Sequence, residues 1–450
     1  MYPWIVRNIT FPLQQKRHNS KVLNCLRELE ESQWYSKSQL EKLQFEKLQK
    51  LLVHCYENVP YYREIFKKVS LHPKDINDLE KFSKIPILTK QNLRENTNRM
   101  IAQDKKYPFF IFKTSGSTGI PLVVYIDKKT AAYHYACKIR GRKWWGWDIG
   151  DRNITIWGAD IKSWAIKRLL AEYLTENRIY FSAFDLSEKS MLKYYKKIKN
   201  FKPKFMYGYV STLYELANFF NQAGLDADKF GIQGVSTTAE ILYDFQKDLI
   251  EKIFQCPVIN EYGCIEVQVI AFQCPKGNMH ISSENLFVEF IKNDNLDGMQ
   301  EIVVTDLNNY LMPLLRYKIG DIGKTIDEKC SCGRGLPLMS LVTGRHSDMV
   351  ILGNGKLVHP LIFQYIAKYL IELSEGTFSQ WKIIQKSYSD FLIYIVVDQK
   401  FKLEISDYAS FMLHKQLGEN INIDFEFVSS IPREASGKLR YFVSEVPQKV

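Results

Sequence analysis

At 450 residues, with 46% apolar and 14% aromatic side chains, the chain is long enough for about two to three domains and can bury a large core, which excludes a disordered polypeptide. A net charge of +11, from 61 Lys+Arg against 50 Asp+Glu, points to anionic partners such as nucleotide phosphates, nucleic acid or an acidic membrane face. The lysines are spread along the chain (Lys42, Lys47, Lys50, Lys189, Lys196, Lys197, Lys199) rather than gathered in one arm, so they read as solvated faces and speak against nucleic-acid binding.

No run of about 18 apolar residues occurs, so no membrane-spanning helix is expected. The stretch Met1 to Arg7 lacks the basic region and long apolar segment of a secretion signal, and its aromatic start offers at most contact with a membrane surface. Eight cysteines in so long a chain do not make a disulfide scaffold, and the expected location is cytoplasmic.

In chain order, residues 20–70 read as helix-rich. Leu40, Leu43, Phe45, Leu48, Leu51 and Leu52 recur at helical spacing until Asn58-Val59-Pro60 breaks the run. Thr89, after the extended Ile85-Pro86-Ile87-Leu88, has the character of a helix N-cap. Two apolar runs, Phe109 to Phe112 and Leu122 to Ile126, read as strands on either side of Lys113-Thr114-Ser115-Gly116-Ser117-Thr118-Gly119-Ile120-Pro121. Its glycines let backbone N–H groups turn inward, and Ser115, Ser117 and Thr118 add hydroxyl donors, which suits phosphate oxygens. It is not a Walker A loop, which needs Gly-Lys-Ser/Thr running into a helix.

Beyond the loop, helices over 128–145, 161–174, 187–199, 211–223 and 240–254 alternate with strands over 153–157, 179–181, 205–208 and 231–237. Such alternation favours an α/β fold with a largely parallel sheet, helices on its faces and a ligand crevice at the carboxyl ends of the strands. Short strands and turns over 285–343 predict a small β-rich subdomain, and the remaining C-terminal residues mix α and β.

Four further motifs follow: Asn260-Glu261-Tyr262-Gly263-Cys264-Ile265-Glu266, Tyr317-Lys318-Ile319-Gly320-Asp321, Gly344-Arg345-His346-Ser347-Asp348 and Pro432-Arg433-Glu434-Ala435-Ser436-Gly437-Lys438. Each alone is an ordinary turn or strand end. In this order and at these separations from the Ser/Thr/Gly loop, the set resembles the acyl-adenylate-forming superfamily over roughly residues 80–445. Leu122 follows Pro121 where many members carry Lys. With Glu261-Tyr262-Gly263-Cys264, this resembles the phenylacetate–coenzyme A ligase branch. Ser32-Gln33-Trp34 and Asn58-Val59-Pro60-Tyr61-Tyr62-Arg63 are similar to its capsule-polysaccharide, CapK-like members.

The resemblance implies a helical segment over 1–80 packed on a large domain over 81–345, and a mobile α+β lid over 346–450 hinged near 346–348. Most members carry Asp or Lys at the hinge position that here is Ser347, followed by Asp348. It also implies that Thr114, Ser115, Gly116, Ser117, Thr118 and Gly119 hold the β- and γ-phosphates of ATP, with Thr118 among the catalytic residues. Ala239, Glu240, Glu261, Tyr262 and Gly263 would line the nucleotide site, with Tyr262 against adenine. Asp321 would bind the ribose hydroxyls and Arg345 a ribose or phosphate group. Glu266 would hold Mg²⁺, which wants hard oxygen ligands. Lys438 would neutralise charge on the attacked phosphoryl, a role suited to a point charge on a long stem. An acyl pocket would draw on Tyr207, Tyr209, Ser236, Thr237, Thr238 and Ala239, a mix less greasy than long fatty chains require.

The expected reaction joins a small carboxylic acid and ATP into acyl-AMP, then passes the acyl group to coenzyme A, an amine or a hydroxyl, that of a sugar included. Two other readings stand beside it: a nucleotide-binding scaffold without catalysis, and an acidic-polymer binder resting on net charge alone. A homodimer is compatible with the sequence.

Cys274 and His280, with the tight turn Cys330-Ser331-Cys332, make a Cys₃His set suited to a tetrahedral structural Zn²⁺, although the spacing departs from compact fingers and alone leaves the site open. Zinc at matching positions in members of the branch extends the resemblance to this site. Cys25, Cys55, Cys137, Cys256 and Cys264 read as core thiols. His134 reads as a packed or surface histidine, and His359, before Pro360, as part of a turn.

Overall fold

The computed structural model describes residues 2–104, 107–113, 122–158, 166–293, 300–345, 350–353, 357, 358, 363, 366, 370, 378–397, 404–418, 420–434 and 438–446. Thr114 to Gly119, expected to hold phosphates, His346 to Asp348, expected to form a hinge, and His359 lie outside the described residues.

The leucine-rich helix Lys37–Asn58 starts at Ser36, whose hydroxyl and the Gln39 side chain form a reciprocal capping box. It ends where Val59 turns extended, and Pro60 opens the next helix, Pro60–Lys68, as its first residue. Leu48, Leu51, Leu52 and Cys55 join a core shared with Leu286, Val304 and Tyr317. Thr89 caps its helix as expected, its hydroxyl accepting the Asn92 N–H at 3.1 Å.

Strands β1 (Phe109–Lys113) and β2 (Val123–Asp127) pair antiparallel with Lys113 opposite Val123, so the residues flanking the Ser/Thr/Gly segment lie side by side. Asp127 then caps the helix Lys128–Lys143, accepting the N–H groups of Lys129 and Thr130.

The strands that follow are β3 (Asn153–Trp157), β4 (Arg178–Ser182), β5 (Phe205–Tyr209), β6 (Gly234–Thr238), β7 (Val258–Cys264), β8 (Gln268–Gln273), β9 (Met279–Ile281), β10 (Leu286–Lys292), β11 (Gln300–Asp306), β12 (Tyr317–Ile326) and β13 (Leu338–Arg345). They form one 11-stranded sheet in the order β10-β11-β12-β13-β9-β8-β7-β6-β5-β3-β4. β4, β3, β5, β6 and β7 pair in parallel, as their alternation with helices requires, and pairing turns antiparallel from β7 to β8 onward. The β-rich region is therefore fused to the parallel strands through β7 and β8 rather than standing apart.

Strand alternation gives the parallel half two different faces. Ile154, Ile156, Met206, Val235 and Val258 pack under the helices Glu188–Phe201, Val210–Gln222 and Asp244–Phe254. Phe205 and Ile259 meet the helix Lys128–Lys143 on the other face.

After a short ribbon of β14 (Val350–Ile351) and β15 (Leu357–Val358) come β16 (Phe378–Gln385), β17 (Asp390–Val397), the helix Glu404–Leu417, β18 (Asn422–Val428) and β19 (Phe442–Ser444). The last four strands form a separate sheet, β18-β17-β16-β19, with its own core of Trp381, Ile383, Ile393, Ile395 and Leu413.

Candidate active site

The β7–β8 turn and β12 bring three of the expected residues together. Tyr262 donates its hydroxyl to Asp321 Oδ2 at 2.9 Å, and Tyr317 donates to the buried Glu266 Oε1 at 2.8 Å. Arg345 is the register partner of Asp321 across β12 and β13. Gly263 permits the bulge that sets this corner, because a Cβ there would lie 1.8 Å from the Gln268 carbonyl oxygen. Burial, with the Glu266 carboxylate beside it, pushes the Cys264 thiol well up, which disfavours the thiolate.

At the end of β6 the chain turns through Ala239, whose φ of +68° is a left-handed conformation that a non-glycine residue rarely adopts. The helix expected from 240 starts only at Asp244, because Glu240 is used otherwise. Its carboxylate accepts the Ser211 N–H at 2.7 Å, the Ser211 hydroxyl at 3.0 Å and the Leu439 N–H at 2.9 Å. Leu439 follows Lys438, so Glu240 ties the lysine-bearing segment of the C-terminal unit to the carboxyl edge of the sheet.

A second tie lies beside it. Arg433 donates to Ser211 Oγ at 2.9 Å and pairs with Glu215, which also accepts Gln380 Nε2 at 3.0 Å. Burial raises both carboxyl groups, Glu215 and Glu240, above their ordinary range, and Arg433 opposes that shift at Glu215.

The acyl-pocket residues divide by face. Tyr207, Ser236 and Thr238 share the face toward the helix Lys128–Lys143, while Thr237 alternates to the other and donates to the Ile259 carbonyl at 3.1 Å. Glu261 turns to the first group: its Oε1 lies 3.0 Å from Lys138 Nζ and accepts the Tyr207 hydroxyl at 3.2 Å. Lys138 also donates to the Tyr207 hydroxyl at 2.6 Å, and burial lowers its pKa to about 8. Tyr207 stacks on Trp157 at 5.6 Å and 11°. Ser236 Oγ and Glu261 Oε2 are buried without a hydrogen-bond partner among the described residues.

Lys138, Trp157 and Glu215 were given no role by the sequence reading, and Arg433, quoted within its motif, was given no partner. Sequence offered no signal for Lys138: the helix Lys128–Lys143 also buries His134, Arg140 and Arg142, polar residues that read locally as a solvated face. His134 is a packed histidine, 3.1 Å from Asp306 Oδ2.

The Cys₃His set converges. The candidate ligand atoms of Cys274, His280, Cys330 and Cys332 lie within 4.8 Å of one another, with Cys274 Sγ 3.6 Å from Cys330 Sγ and Cys332 Sγ 3.3 Å from His280 Nε2. Zn–S bonds of about 2.3 Å and Zn–N bonds of about 2.0 Å give a tetrahedron edges of roughly 3.5–3.8 Å, so the donors have the spacing the metal needs. His280 Nδ1 is 3.2 Å from the Leu336 carbonyl, which fixes Nε2 as the lone-pair donor, and burial lowers the imidazole to about 4, keeping it neutral. All eight cysteines are free thiols, and Cys25, Cys55, Cys137 and Cys256 are buried as expected.

The fold is one found in solved acyl-AMP-binding ligases. The crystal structure of 2-hydroxyisobutyryl-CoA ligase in the postadenylation state shares the fold with a TM-score of 0.75, at 18% identity over 91% of this chain and 90% of that one. The chain is similar in sequence to CapK and to the phenylacetate–coenzyme A ligases. Residues 350–445 match the CapK C-terminal domain family. Protein CapK of Staphylococcus aureus is 25% identical over 421 residues, covering 90% of this chain and 89% of CapK. Phenylacetate-coenzyme A ligase of Pseudomonas putida is 27% identical over 354 residues, covering 75% and 77%.

Proposed function

We propose that the chain is an ATP-dependent, AMP-forming ligase that activates a carboxylic acid as acyl-AMP and passes the acyl group to coenzyme A or to an amine or hydroxyl acceptor, in capsule or surface polysaccharide biosynthesis. The observation that carries this reading is the Glu240–Leu439 contact. It sets the Lys438 segment against the sheet edge where Tyr262, Glu266 and Asp321 meet.

A carboxylate oxygen of the acid attacks the α-phosphorus, the P–O bond to pyrophosphate breaks, and pyrophosphate leaves with its electron pair. Two anions must meet, so the protein has to hold geometry and screen charge. Thr114 to Gly119 would hold the departing phosphates, with Thr118 among the catalytic residues. Tyr262 lies against adenine, Asp321 accepts from the ribose hydroxyls, and Arg345 adds a ribose or phosphate contact. Glu266 offers the hard oxygen that Mg²⁺ requires, and the bound ion would neutralise phosphate charge. Lys438 screens the attacked phosphoryl. The lid then rotates about residues 346–348, withdrawing Lys438 and admitting the acceptor.

Tyr207, Ser236, Thr238, Glu261 and Lys138 favour a small polar acid over a long fatty chain. A non-catalytic nucleotide-binding scaffold would have no use for a lysine on a mobile segment or for the two ties that seat it.

Those ties give a test that separates the half-reactions. Glu240→Gln and Arg433→Ala are expected to slow carboxylate-dependent exchange of labelled pyrophosphate into ATP by about 10- to 100-fold, because Lys438 loses its placement. Acyl transfer from synthetic acyl-AMP should change little, since that step needs the lid released. Equal losses in both steps would contradict the reading.

A further inference from the structure

The helix Ile166–Glu176 carries Ile166, Leu169, Leu170, Tyr173 and Leu174 at the i, i+3, i+4, i+7 and i+8 positions of one face. In a globular protein such a stripe normally meets a core. Here no residue of the helix is buried, and Ile166 is 83%, Leu170 53% and Leu174 37% exposed.

The N-terminal segment lies alongside, its Thr10 hydroxyl donating to the Leu174 carbonyl at 2.6 Å. Val6 and Phe11 anchor this segment in the core, while Tyr2, Trp4, Ile5, Ile9 and Leu13 are exposed. Eight of the nineteen exposed large apolar side chains among the described residues thus lie on two touching elements. A concentration of that kind marks an interaction surface rather than scattered exposure.

The charge around it is mainly basic. Positions 1–27 hold Arg7, Lys16, Arg17, Lys21 and Arg27 and no acidic residue, and Lys167 and Arg168 follow on the second helix; Arg7 is engaged by Asp148 and Asp151, at 3.2 and 3.6 Å. The two carboxylates of that helix are engaged inward: Glu176 pairs with Arg178, and Glu172 lies 3.6 Å from the same guanidinium. A second copy related by a two-fold axis would press this basic rim against itself, because such an interface uses the same patch on both partners. Among the described residues no helix is long and apolar enough to cross a membrane. Aromatic and aliphatic side chains on an amphipathic surface with a lysine and arginine rim have the chemistry of interfacial attachment to anionic lipid.

We propose that the face formed by the N-terminal segment and the helix Ile166–Glu176 seats peripherally on an anionic lipid bilayer. The aliphatic side chains enter the headgroup–acyl boundary, Tyr2 and Trp4 lie at headgroup level, and the cations meet lipid phosphates.

Flotation of the full chain with vesicles of phosphatidylcholine alone, and of equal parts phosphatidylcholine and phosphatidylglycerol, tests this. The chain should float with the anionic vesicles, not with the neutral ones, and lose binding as salt rises. Lys16→Gln plus Arg17→Gln should weaken binding on the order of 20-fold, since each cation near an anionic surface contributes about one kilocalorie. Leu170→Asp should weaken it by about tenfold or more through lost apolar burial. All these side chains are exposed, so melting temperature and pyrophosphate exchange should stay at wild-type values. Absence of binding to anionic vesicles overturns the proposal, as does binding unchanged in both variants. A wild-type dimer in sedimentation equilibrium that Leu170→Asp converts to monomer would assign the face to a second copy and overturn it equally.

Discussion

Lys438→Ala is expected to lower carboxylate-dependent pyrophosphate exchange by about 10²- to 10³-fold, the size seen when one preorganised charge-stabilising group is removed from a transition state. The loss should fall on turnover more than on the Michaelis constant for ATP, because the nucleotide contacts proposed for residues 114–119, Tyr262 and Asp321 do not include it. Lys438→Arg should recover little, since a planar guanidinium does not reproduce a compact ammonium on a flexible stem. Transfer from synthetic acyl-AMP should persist in both variants. Steady-state exchange and single-turnover transfer measured on the same preparations check the pair of outcomes. Exchange at the wild-type rate in Lys438→Ala would remove the lysine from the chemistry.

Cys330→Ser plus Cys332→Ser is expected to take bound zinc from one ion per chain to none and to destabilise the protein by more than about 4 kcal/mol, in the range reserved for loss of a structural metal. The site joins Cys274 and His280, around the β8–β9 turn, to the loop that leads into β13. Little apolar packing would replace it: the local cluster is Cys274, Cys330 and Leu338, with Trp144 and Ile326 against it. Without metal, three thiols and an imidazole crowd within 4.8 Å, held by weak sulfur hydrogen bonds among themselves and to Asn278. Metal analysis and denaturant melts measure both effects. Wild-type protein free of metal, with unchanged stability in the double variant, would assign the cluster to ordinary packing.

Local patterns made much of the fold legible. The alternation of strands and helices from 153 to 254 foretold the parallel half of the sheet, and the Thr89 cap formed as its chemistry required. The β-rich region was legible as strands, but its fusion to the parallel strands was not, because pairing between β7 and β8 depends on a bulge at Gly263 that local patterning does not announce.

The site was legible in a different way. Tyr262 bonds to Asp321 and Tyr317 to Glu266, and it was resemblance of motifs, not any spacing, that singled out 262, 266 and 321. What stayed hidden was long-range and charged. Arg433 reaches Ser211 and Glu215 across more than two hundred positions, and no periodicity encodes such a contact. Lys138 sits on a helix whose polar residues resemble a solvated face until the sheet is seen to cover them. The stripe on the helix Ile166–Glu176 teaches the converse lesson: a pattern shows that a face is apolar, not what covers it.

The most direct test of the central claim is exchange of labelled pyrophosphate into ATP by the wild-type chain over a panel of carboxylic acids. The account predicts that at least one small polar acid drives Mg²⁺-dependent exchange well above the acid-free rate, and that long-chain fatty acids do not. No exchange above background with any acid, in protein that binds ATP, would contradict it.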